Sequence, residues 1–507
     1  MQQSFFALIQ SRYPVDRGRV VIETGDGRTI SYAELDAATA RYARVLRAAG
    51  AEPGDRVAFH VEKSPQALFL YLASLRAGLV ALPMNPAYQA GEVGYMLGNA
   101  EPAIFVTDPA RIPELQPVAV QTGVKTVLTL DAAGQGSLPA RAEAEPADFE
   151  PVPRGSDDLA AMLYTSGTTG RPKGAPLSHG NLASNAQVLV EAWGFGDQDV
   201  LLHALPIFHA HGLFVACHCT LLAGAAMLWL PRFDVQRVME LLPRATVMMG
   251  VPTFYTRLLD QPDFGPAQAA HVRLFVSGSA PLLAETHRAF ERRTGQRILE
   301  RYGMSEILMH TSNPLHGERR PGSVGRPLPG SQVRIVDEAD RECKPGEVGA
   351  VLVKGPNVFK GYWRAPEKNE EEFTADGWFR TGDLGLMSED GYLTLVGRAK
   401  DLVITGGLNV YPSEVEAVID ELPGVVESAV VGLPHPDLGE AVTAVIKPKP
   451  GAAPDEAAVI AACKAQLAGF KVPKRVLFTD ELPRNAMGKV QKNLLRQAHA
   501  GLYAGKA

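Results

Sequence analysis

The first half of the chain alternates between short apolar runs and longer segments in which apolar residues recur at helical spacing. Runs such as 56–60 and 80–84 predict buried strands. The segment between residues 30 and 49 predicts a helix, because Ser31 and Glu34 have the spacing of a capping box and Gly50 follows as a stop. Strands that alternate with helices are typical of a layered α/β domain with parallel sheets.

Three later apolar runs, at 246–250, 274–276 and 298–300, each predict a strand that ends in a polar loop with glycine. The carboxyl ends of parallel strands meet at one edge of a sheet, where ligands bind. The sequence therefore predicts a ligand site built from these three loops.

The last hundred or so residues have a different pattern. Apolar runs at 425–431 and 441–447 predict strands, and a helix is expected over 413–421, capped by Ser413 with Glu416 three positions on. At 507 residues the chain exceeds the usual size of one hydrophobic core. The predicted fold is therefore a large N-terminal domain of layered α/β sheets and a small α+β C-terminal domain.

Composition is ordinary for a globular protein, with 46% hydrophobic and 21% charged residues. The formal net charge of -6 provides no broad basic surface for nucleic acid or anionic membrane, so small-molecule substrates are expected. The N-terminal residues lack the features of a secretory signal and no apolar run is long enough to cross a bilayer. The four cysteines are scattered, which suggests no disulfide framework. A cytoplasmic protein is expected.

The chemistry is concentrated in residues 164–174, Tyr-Thr-Ser-Gly-Thr-Thr-Gly-Arg-Pro-Lys-Gly. Hydroxyl groups and backbone amides donate hydrogen bonds, glycines let the backbone approach a ligand, and a lysine adds a cation, which together suit a polyphosphate. The spacing is not that of a Walker A loop. The residues that carry this pattern are Thr165, Ser166, Gly167, Thr168, Thr169, Gly170 and Lys173.

This stretch resembles the phosphate-binding signature of the adenylate-forming superfamily, which contains acyl-CoA synthetases, carrier-loading adenylation domains and beetle luciferases. The resemblance implies ATP, Mg²⁺ and, for the synthetases, coenzyme A. It makes Glu306, in the run 302–306, the carboxylate that holds Mg²⁺ against the phosphates and a catalytic residue. Further nucleotide-binding residues carried over from the family motifs are Ser279, Ala280, Tyr302, Gly303, Met304, Ser305, Asp383 and Arg398.

The same resemblance divides the chain into an adenylation domain over residues 1–397, a hinge at 398–401 with Lys400 at its pivot, and a mobile C-terminal domain over 402–507. Lys489, in a loop with the family's proline, glycine and lysine, is implied to be the catalytic lysine. Gly406 and Gly407 are implied to face the acyl-adenylate during transfer to the thiol. The proline-x₄-glycine-lysine form that ends at Lys489 also suggests recognition by a regulatory lysine acetyltransferase.

Two arginines follow strands that are predicted to line the pocket, Arg257 and Arg301, and they indicate which carboxylic acid is the substrate. A buried guanidinium needs a partner, and a second carboxylate of the substrate suits its geometry. The alternative is an internal pair of Arg301 with Glu300 or Glu306. Over nearly its whole length the chain resembles bacterial malonyl-CoA synthetases, and this resemblance places Arg257, Arg301, Ser279 and His211 in the dicarboxylate site.

Three interpretations compete. The first is a malonate–CoA ligase, with methylmalonate as a further possible substrate. The second is a ligase for another small or aryl acid, or a carrier-loading adenylation enzyme. The third is a catalytically silent nucleotide-binding protein, which the joint presence of Lys173, Glu306, Asp383, Arg398 and Lys489 argues against.

Overall fold

The structure is a computed structural model that describes residues 4–165, 172–452, 454–485 and 488–504. The strands are β1 (Val20–Thr24), β2 (Thr29–Ser31), β3 (Arg56–His60), β4 (Val80–Pro83), β5 (Ile104–Thr107), β6 (Thr126–Thr129), β7 (Leu159–Thr165), β8 (Lys173–Ser178), β9 (Val200–His203), β10 (Ala226–Trp229), β11 (Val247–Gly250), β12 (Leu274–Ser277), β13 (Ile298–Met304), β14 (Leu308–Ser312), β15 (Arg326–Pro327), β16 (Gln332–Val336), β17 (Gly349–Lys354), β18 (Phe379–Met387), β19 (Leu393–Arg398), β20 (Val403–Thr405), β21 (Leu408–Val410), β22 (Val425–His435), β23 (Gly439–Pro448) and β24 (Arg475–Phe478).

The α-helices are α1 (Phe5–Ser11), α2 (Tyr32–Ala48), α3 (Pro65–Arg76), α4 (Ala90–Ala100), α5 (Ile112–Gln121), α6 (Ser137–Glu143), α7 (His179–Ala192), α8 (His218–Ala223), α9 (Val235–Leu241), α10 (Pro252–Leu259), α11 (Pro266–Ala269), α12 (Ala284–Thr294), α13 (Pro366–Glu372), α14 (Pro412–Asp420), α15 (Glu456–Gln466) and α16 (Lys492–His499). A π-helix spans His211–Cys217. Short 3₁₀ turns occupy Pro109–Arg111, Leu242–Arg244 and Ala399–Asp401.

Two large sheets form the N-terminal part. The nine-stranded sheet has the order β15-β14-β13-β12-β11-β9-β10-β1-β2, and its strands from β13 to β1 run parallel. The six-stranded sheet has the order β6-β5-β3-β4-β7-β8 and is parallel except for the β7–β8 hairpin. Helices pack against both sheets around a shared apolar core. The predicted layered α/β architecture is confirmed.

A four-stranded antiparallel sheet, β16-β17-β18-β19, connects this part to the C-terminal domain. The C-terminal sheet has the order β21-β20-β23-β22, with β24 parallel to β23, and it has apolar clusters of its own. The long β22–β23 hairpin extends the two strands that the sequence predicts there. A large α/β domain is thus followed by a smaller α+β domain, as expected.

The first residues of two helices show how well the local sequence pattern predicts where a helix begins. Ser31 and Glu34 form the predicted capping box at the start of α2. The predicted cap of α14 is wrong, because the helix begins at Pro412 and the hydroxyl of Ser413 donates instead to the carbonyl of Val396 across the hinge. Proline is favoured in the first helical turn because it needs no amide partner.

The prediction for β13 is also partly wrong. The sequence ends this strand at Glu300 and places Arg301 to Met304 in a loop, whereas the strand continues through Met304 and pairs antiparallel with β14. A pairing partner that lies later in the chain supplies the hydrogen bonds that the polar segment lacks locally. Arg301 is therefore a strand residue.

The cysteines are free: Cys217, Cys219 and Cys463 are buried, and Cys343 is partly buried. Within the described ranges, no helix is long and apolar enough to cross a membrane.

Candidate active site

The carboxyl ends of β11, β12 and β13 lie side by side, as predicted. Gly250 is the register partner of Ser277, and Ser277 is the partner of Glu300. Loop 278–283 and the second half of β13 therefore begin at the same edge of the nine-stranded sheet. Functional side chains from segments far apart in sequence meet at this edge.

The predicted phosphate loop follows β7, whose last residue, Thr165, is the register partner of Lys173 at the start of β8. Ser166, Gly167, Thr168, Thr169 and Gly170 lie outside the described residues. The Lys173 ammonium lies 5.4 Å from the centre of the Tyr362 ring. Partial burial lowers the pKa of Lys173, and the nearby Lys368 cation acts in the same direction.

Glu306 is buried beside this hairpin, with 3% of its surface exposed. Its Oε1 accepts a hydrogen bond from the Tyr362 hydroxyl at 3.0 Å, and the Thr165 hydroxyl also bonds to it. Burial raises the pKa of Glu306. A cation at this carboxylate would offset that effect by favouring the ionised form.

The oxygen donors here fit a magnesium ion. Mg²⁺ usually takes one or two carboxylates and completes its octahedral shell with phosphate oxygens and water. Within the described part of the chain, no group of three or more His, Cys, Asp or Glu residues gathers as a metal site. Glu306 would hold the ion together with phosphate oxygens of ATP, and the ion would neutralise their negative charge.

Asp383, on β18, is the centre of a second polar cluster. Its Oδ1 lies 2.7 Å from Nε of Arg398, and its Oδ2 accepts a hydrogen bond from the hydroxyl of Tyr302. Burial, followed by the Asp383 charge, raises the pKa of Tyr302 well above its ordinary value. The cluster joins β13, β18 and β19 and leaves each carboxylate oxygen with further accepting capacity for ribose hydroxyls.

The predicted adenine-side residues lie in the loop after β12 and at the end of β13. Ser279 and Ala280 occupy the loop after β12, and Ser279 has a left-handed backbone with φ +71°. Gly303 and Met304 end β13, and Ser305 follows in the turn to β14. A Cβ at Gly303 would lie 1.9 Å from the carbonyl oxygen of Leu308, so only glycine fits the β13–β14 bulge.

A further group of buried polar side chains, which we call the acid pocket, consists of His211, Ser279 and Arg301. Nδ1 of His211 is 3.2 Å from the Ser279 hydroxyl, and its Nε2 is buried without a hydrogen-bond partner. Arg301 is 3% exposed, and its Nε and Nη2 are also buried without a partner. A Cβ at Gly278 would lie 2.2 Å from Nη1 of Arg301, so the guanidinium packs directly on the glycine backbone.

The internal ion pair for Arg301 is not formed. Burial raises the pKa of Glu300 to about 8, which favours its neutral form, and its Oε1 accepts the Leu282 amide at 3.1 Å instead of pairing with Arg301. Burial also lowers the pKa of Arg301 to about 10, which still leaves it charged at neutral pH. No described carboxylate lies within ion-pair distance of Arg301. The pocket therefore contains an uncompensated cation.

Arg257 does not join this pocket in the structure. It lies on the exposed face of α10, with its guanidinium carbon 6.0 Å from the centre of the Phe233 ring. No described contact connects it with Arg301. Its role in substrate binding remains a prediction.

Lys489 lies in the cleft between the two domains. Its loop meets α10, since a Cβ at Gly488 would be 3.3 Å from the hydroxyl oxygen of Thr253. Desolvation by the protein around it, together with the Arg398 cation, lowers the pKa of Lys489 to about 8, and Asp383 acts in the opposite direction. The lysine is therefore close enough to the Asp383 cluster to be affected by its charges, while its side chain is exposed at the surface.

Gly406 and Gly407 are elsewhere on the C-terminal domain. They form the exposed tip of the β20–β21 hairpin, with left-handed φ values of +56° and +79°. A Cβ at Gly407 would meet nothing within 4 Å beyond its chain neighbours. Lys400 lies in the 3₁₀ turn between the domains and is exposed.

Sequence reasoning missed Tyr362, which bonds to Glu306 and faces Lys173. An isolated tyrosine in a loop carries no periodic or motif signal. It also missed Lys63 and His203, which form a buried contact next to the His211 segment. The one available signal was a histidine that ends a strand at the ligand edge.

Comparison with known proteins gives a consistent picture. The family model described as AMP-binding enzyme matches residues 9–363, and the AMP-binding enzyme C-terminal domain matches residues 414–489. The chain is 37% identical over 497 residues to a feruloyl-CoA synthase of Amycolatopsis sp, covering 96% of this chain and 98% of the relative. It is 34% identical over 527 residues to a malonate–CoA ligase of Arabidopsis thaliana, covering 95% and 86%.

Among solved structures, ATP-bound MatB from Rhodopseudomonas palustris superposes with a TM-score of 0.97 at 54% identity, covering 99% of this chain and 100% of that chain. The apo form of the same MatB gives a TM-score of 0.85. The chain as a whole therefore superposes more closely on the ATP-bound form than on the apo form.

Proposed function

Because the chain belongs to the family of AMP-binding enzymes, we propose that it joins malonate to coenzyme A through an acyl-adenylate and releases AMP and pyrophosphate. Motifs for both half-reactions are present, and the clusters around Glu306 and Asp383 can receive the two ends of ATP. The relatives include CoA ligases for a hydroxycinnamic acid and for malonate. The acid must therefore be inferred from the pocket.

The observation that carries the choice of malonate is the unpaired guanidinium of Arg301. A buried charge without a partner is unfavourable, and a carboxylate is the ligand that a guanidinium binds best. Nε and Nη2 of Arg301 and Nε2 of His211 are three buried nitrogens with no partner in the protein. A substrate with a second carboxylate would satisfy them, whereas an aromatic or alkyl tail would leave them buried and unpaired.

In the first half-reaction, a carboxylate oxygen of the substrate attacks the α-phosphorus of ATP, and the bond to the pyrophosphate oxygen breaks. Positioning and charge neutralisation supply most of the catalysis in such transfers. Lys489 would stabilise the charge at the α-phosphate, and Lys173 with its loop would hold the leaving pyrophosphate. Arg301 would hold the second carboxylate and so orient the first.

In the second half-reaction, the thiol of coenzyme A attacks the acyl carbon, and AMP leaves. We infer that the C-terminal domain, residues 402–507, rotates about the hinge at 398–401, with Lys400 as the pivot. Lys489 would then leave the site, and Gly406 and Gly407 would face the acyl-adenylate. Because these two glycines have no side chains, the tip of the hairpin would leave room for the thiol.

Lys489 is also a proposed target of a regulatory lysine acetyltransferase. The segment that ends at Lys489 has the proline-x₄-glycine-lysine form, and Lys489 remains partly exposed. Acetylation would remove the positive charge proposed to act at the phosphate.

The test is acid-dependent ATP/pyrophosphate exchange with malonate, methylmalonate, acetate, benzoate, ferulate and octanoate. Malonate should give the highest kcat/KM, and Arg301→Ala should lower it by about 10²–10³-fold, the loss typical when one partner of a buried charge pair is removed. Arg257→Ala measures whether the second predicted arginine contributes.

Arg297→Ala is the matched control, since Arg297 is a half-exposed arginine paired with Glu291 at 2.6 Å on the surface. It should leave the exchange rate unchanged. A preference for ferulate or another monocarboxylic acid that Arg301→Ala does not alter would refute malonate as the substrate and keep the adenylation mechanism.

A further inference from the structure

Lys63 is a buried lysine without a carboxylate partner. It lies in the loop between β3 and α3, is 8% exposed, and forms no ion pair with any described residue. Its Nζ is instead 2.8 Å from Nδ1 and 2.9 Å from the carbonyl oxygen of His203, and it lies 4.4 Å from the centre of the Trp229 ring. Burial lowers the pKa of Lys63 well below its ordinary value. Such a lysine is unfavourable for stability, so a role beyond packing is expected.

The contact joins the two large sheets at the ligand edge. Lys63 follows β3 of the six-stranded sheet, whereas His203 is the last residue of β9 in the nine-stranded sheet. The ring of His203 also stacks on Trp229, its register partner on β10, with the ring centres 4.9 Å apart. Lys63 therefore fixes the position of the His203 imidazole.

The other side of that imidazole holds the π-helix that carries His211. Nε2 of His203 is 2.9 Å from the carbonyl oxygen of Gly212 and 3.3 Å from the sulfur of Cys217. Because Lys63 donates to Nδ1, the hydrogen-bond pattern assigns the proton to Nε2, which donates to Gly212. One ring thus contacts both the first and the last turn of the π-helix.

A π-helix is rarely stable without outside support, and it is common at functional sites. Here the first turn is also packed tightly, since a Cβ at Gly212 would lie 2.0 Å from the carbonyl oxygen of Pro206. Its orientation decides where Nε2 of His211 points relative to Arg301. A shift of the turn would separate the donors that receive the second carboxylate.

We propose that Lys63 and His203 are positioning residues for the acid pocket: they hold the π-helix so that His211 and Arg301 converge on the distal carboxylate of the substrate. This inference rests on the proposed function. The contacts of Lys63 and His203 lead to the π-helix that carries His211 and not to the Glu306 or Asp383 clusters, so their loss should weaken acid binding more than ATP binding.

The experiment measures exchange kinetics for Lys63→Met, which keeps an unbranched side chain, one heavy atom shorter, and removes its donors. We expect the KM for malonate to rise roughly tenfold, as when one partner of a buried hydrogen bond is lost, while the KM for ATP stays within about twofold. The preference for malonate over propionate should fall in parallel.

A pair of substitutions at His203 tests the same link without altering Lys63. In His203→Gln, an amide can accept from Lys63 and donate to Gly212, so this variant should keep most of the malonate affinity. His203→Leu can do neither and should match Lys63→Met. Equal malonate KM values for His203→Gln and His203→Leu would overturn the inference.

Tyr32→Phe is the matched control for stability, because Tyr32 is fully buried on α2 and its hydroxyl donates to the carbonyl oxygen of Ala225 at 2.7 Å, away from the π-helix. It should lower the melting temperature without altering the ratio of malonate to propionate activity. An equal loss of that ratio in Tyr32→Phe would show a merely structural role for Lys63. Absence of malonate-dependent exchange in the unmodified protein would instead refute the proposed function itself.

Discussion

Charged side chains at this site differ in whether the protein itself supplies their partners. Asp383 has Arg398 and Tyr302, and these contacts hold it in place before any nucleotide binds. Arg301 and Lys489 have no carboxylate partner within ion-pair distance among the described residues. Groups without internal partners are the ones whose charge is available to a substrate, so these two cations should control the choice of acid and the first chemical step.

The first prediction concerns the pH dependence of Lys489. Its pKa is lowered to about 8, so the ammonium is present below that pH and is lost as the pH rises through it. The maximal rate of ATP/pyrophosphate exchange at saturating malonate should therefore decline above about pH 8. Burial raises the pKa of Glu300 to about 8 as well, so a variant at Lys489 is needed to separate the two titrations.

Lys489→Arg is the control, because a guanidinium stays charged throughout this range. Its residual exchange activity should lack the decline, and protein acetylated at Lys489 should be nearly inactive at every pH. The same alkaline decline in Lys489→Arg, or full activity of the acetylated protein, would contradict a role for the lysine charge.

At the scale of elements, β13 and its hairpin with β14 place most of the site. The strand carries Glu300, Arg301 and Tyr302 in succession, and side chains on a strand point alternately to opposite faces. Arg301 thereby faces the acid pocket while Tyr302 reaches Asp383. A bulge between Tyr302 and Gly303 then directs the chain into the turn that bears Glu306.

Gly303→Ala should therefore damage both stability and activity. Its Cβ would meet the carbonyl of Leu308, a backbone atom that cannot rotate away, and such overpacking costs about 1–3 kcal/mol. Thermal unfolding and the exchange assay should report a lower melting temperature and a loss of activity together.

Gly91→Ala, in the first turn of α4, is the matched control, since a Cβ there meets nothing within 4 Å. It should be neutral or stabilise the helix by about 0.5–1 kcal/mol. Comparable behaviour of the two alanine variants would show that the hairpin can accommodate a side chain at Gly303.

At the scale of the whole molecule, a single arrangement of the domains brings only one part of the C-terminal domain to the site, either the Lys489 loop or the hairpin with Gly406 and Gly407. Here the loop of Lys489 meets Thr253 on α10, whereas Gly407 is exposed at a hairpin tip. The chain also superposes more closely on ATP-bound than on apo MatB. The proposed rotation of the C-terminal domain would give the thioester-forming step a second arrangement.

Gly407→Leu should separate the two half-reactions. The added side chain would block the approach of the thiol only after the domain rotates. ATP/pyrophosphate exchange should stay within about twofold of the unmodified protein, and thioester formation should fall by ~10²-fold, as for a displaced reacting group.

Gly451→Leu carries the same backbone strain at a different place, because Gly451 also has a left-handed φ, +77°, and open space around it. It should leave both half-reactions intact. Thioester formation at the normal rate in Gly407→Leu would refute the rotation, and an equal loss in Gly451→Leu would assign the defect to strain.

Much of this protein follows from local sequence. The alternation of strands and helices and the capping box at Ser31 are short-range features, because each depends on the neighbours of a residue along the chain. The same local rules misplaced the start of α14 and the end of β13, where a hinge contact and a distant pairing strand decide the outcome.

The tertiary structure alone decided which polar groups have partners. Glu300 leaves Arg301 unpaired, Tyr362 donates a hydrogen bond to Glu306, and Lys63 contacts His203 from another sheet. These outcomes depend on how burial brings distant parts of the sequence together. Burial sets both the protonation of such groups and the need for a partner, and a linear pattern records neither. The sequence thus determined the class of chemistry, and the packing of two sheets decided how the acid pocket is built.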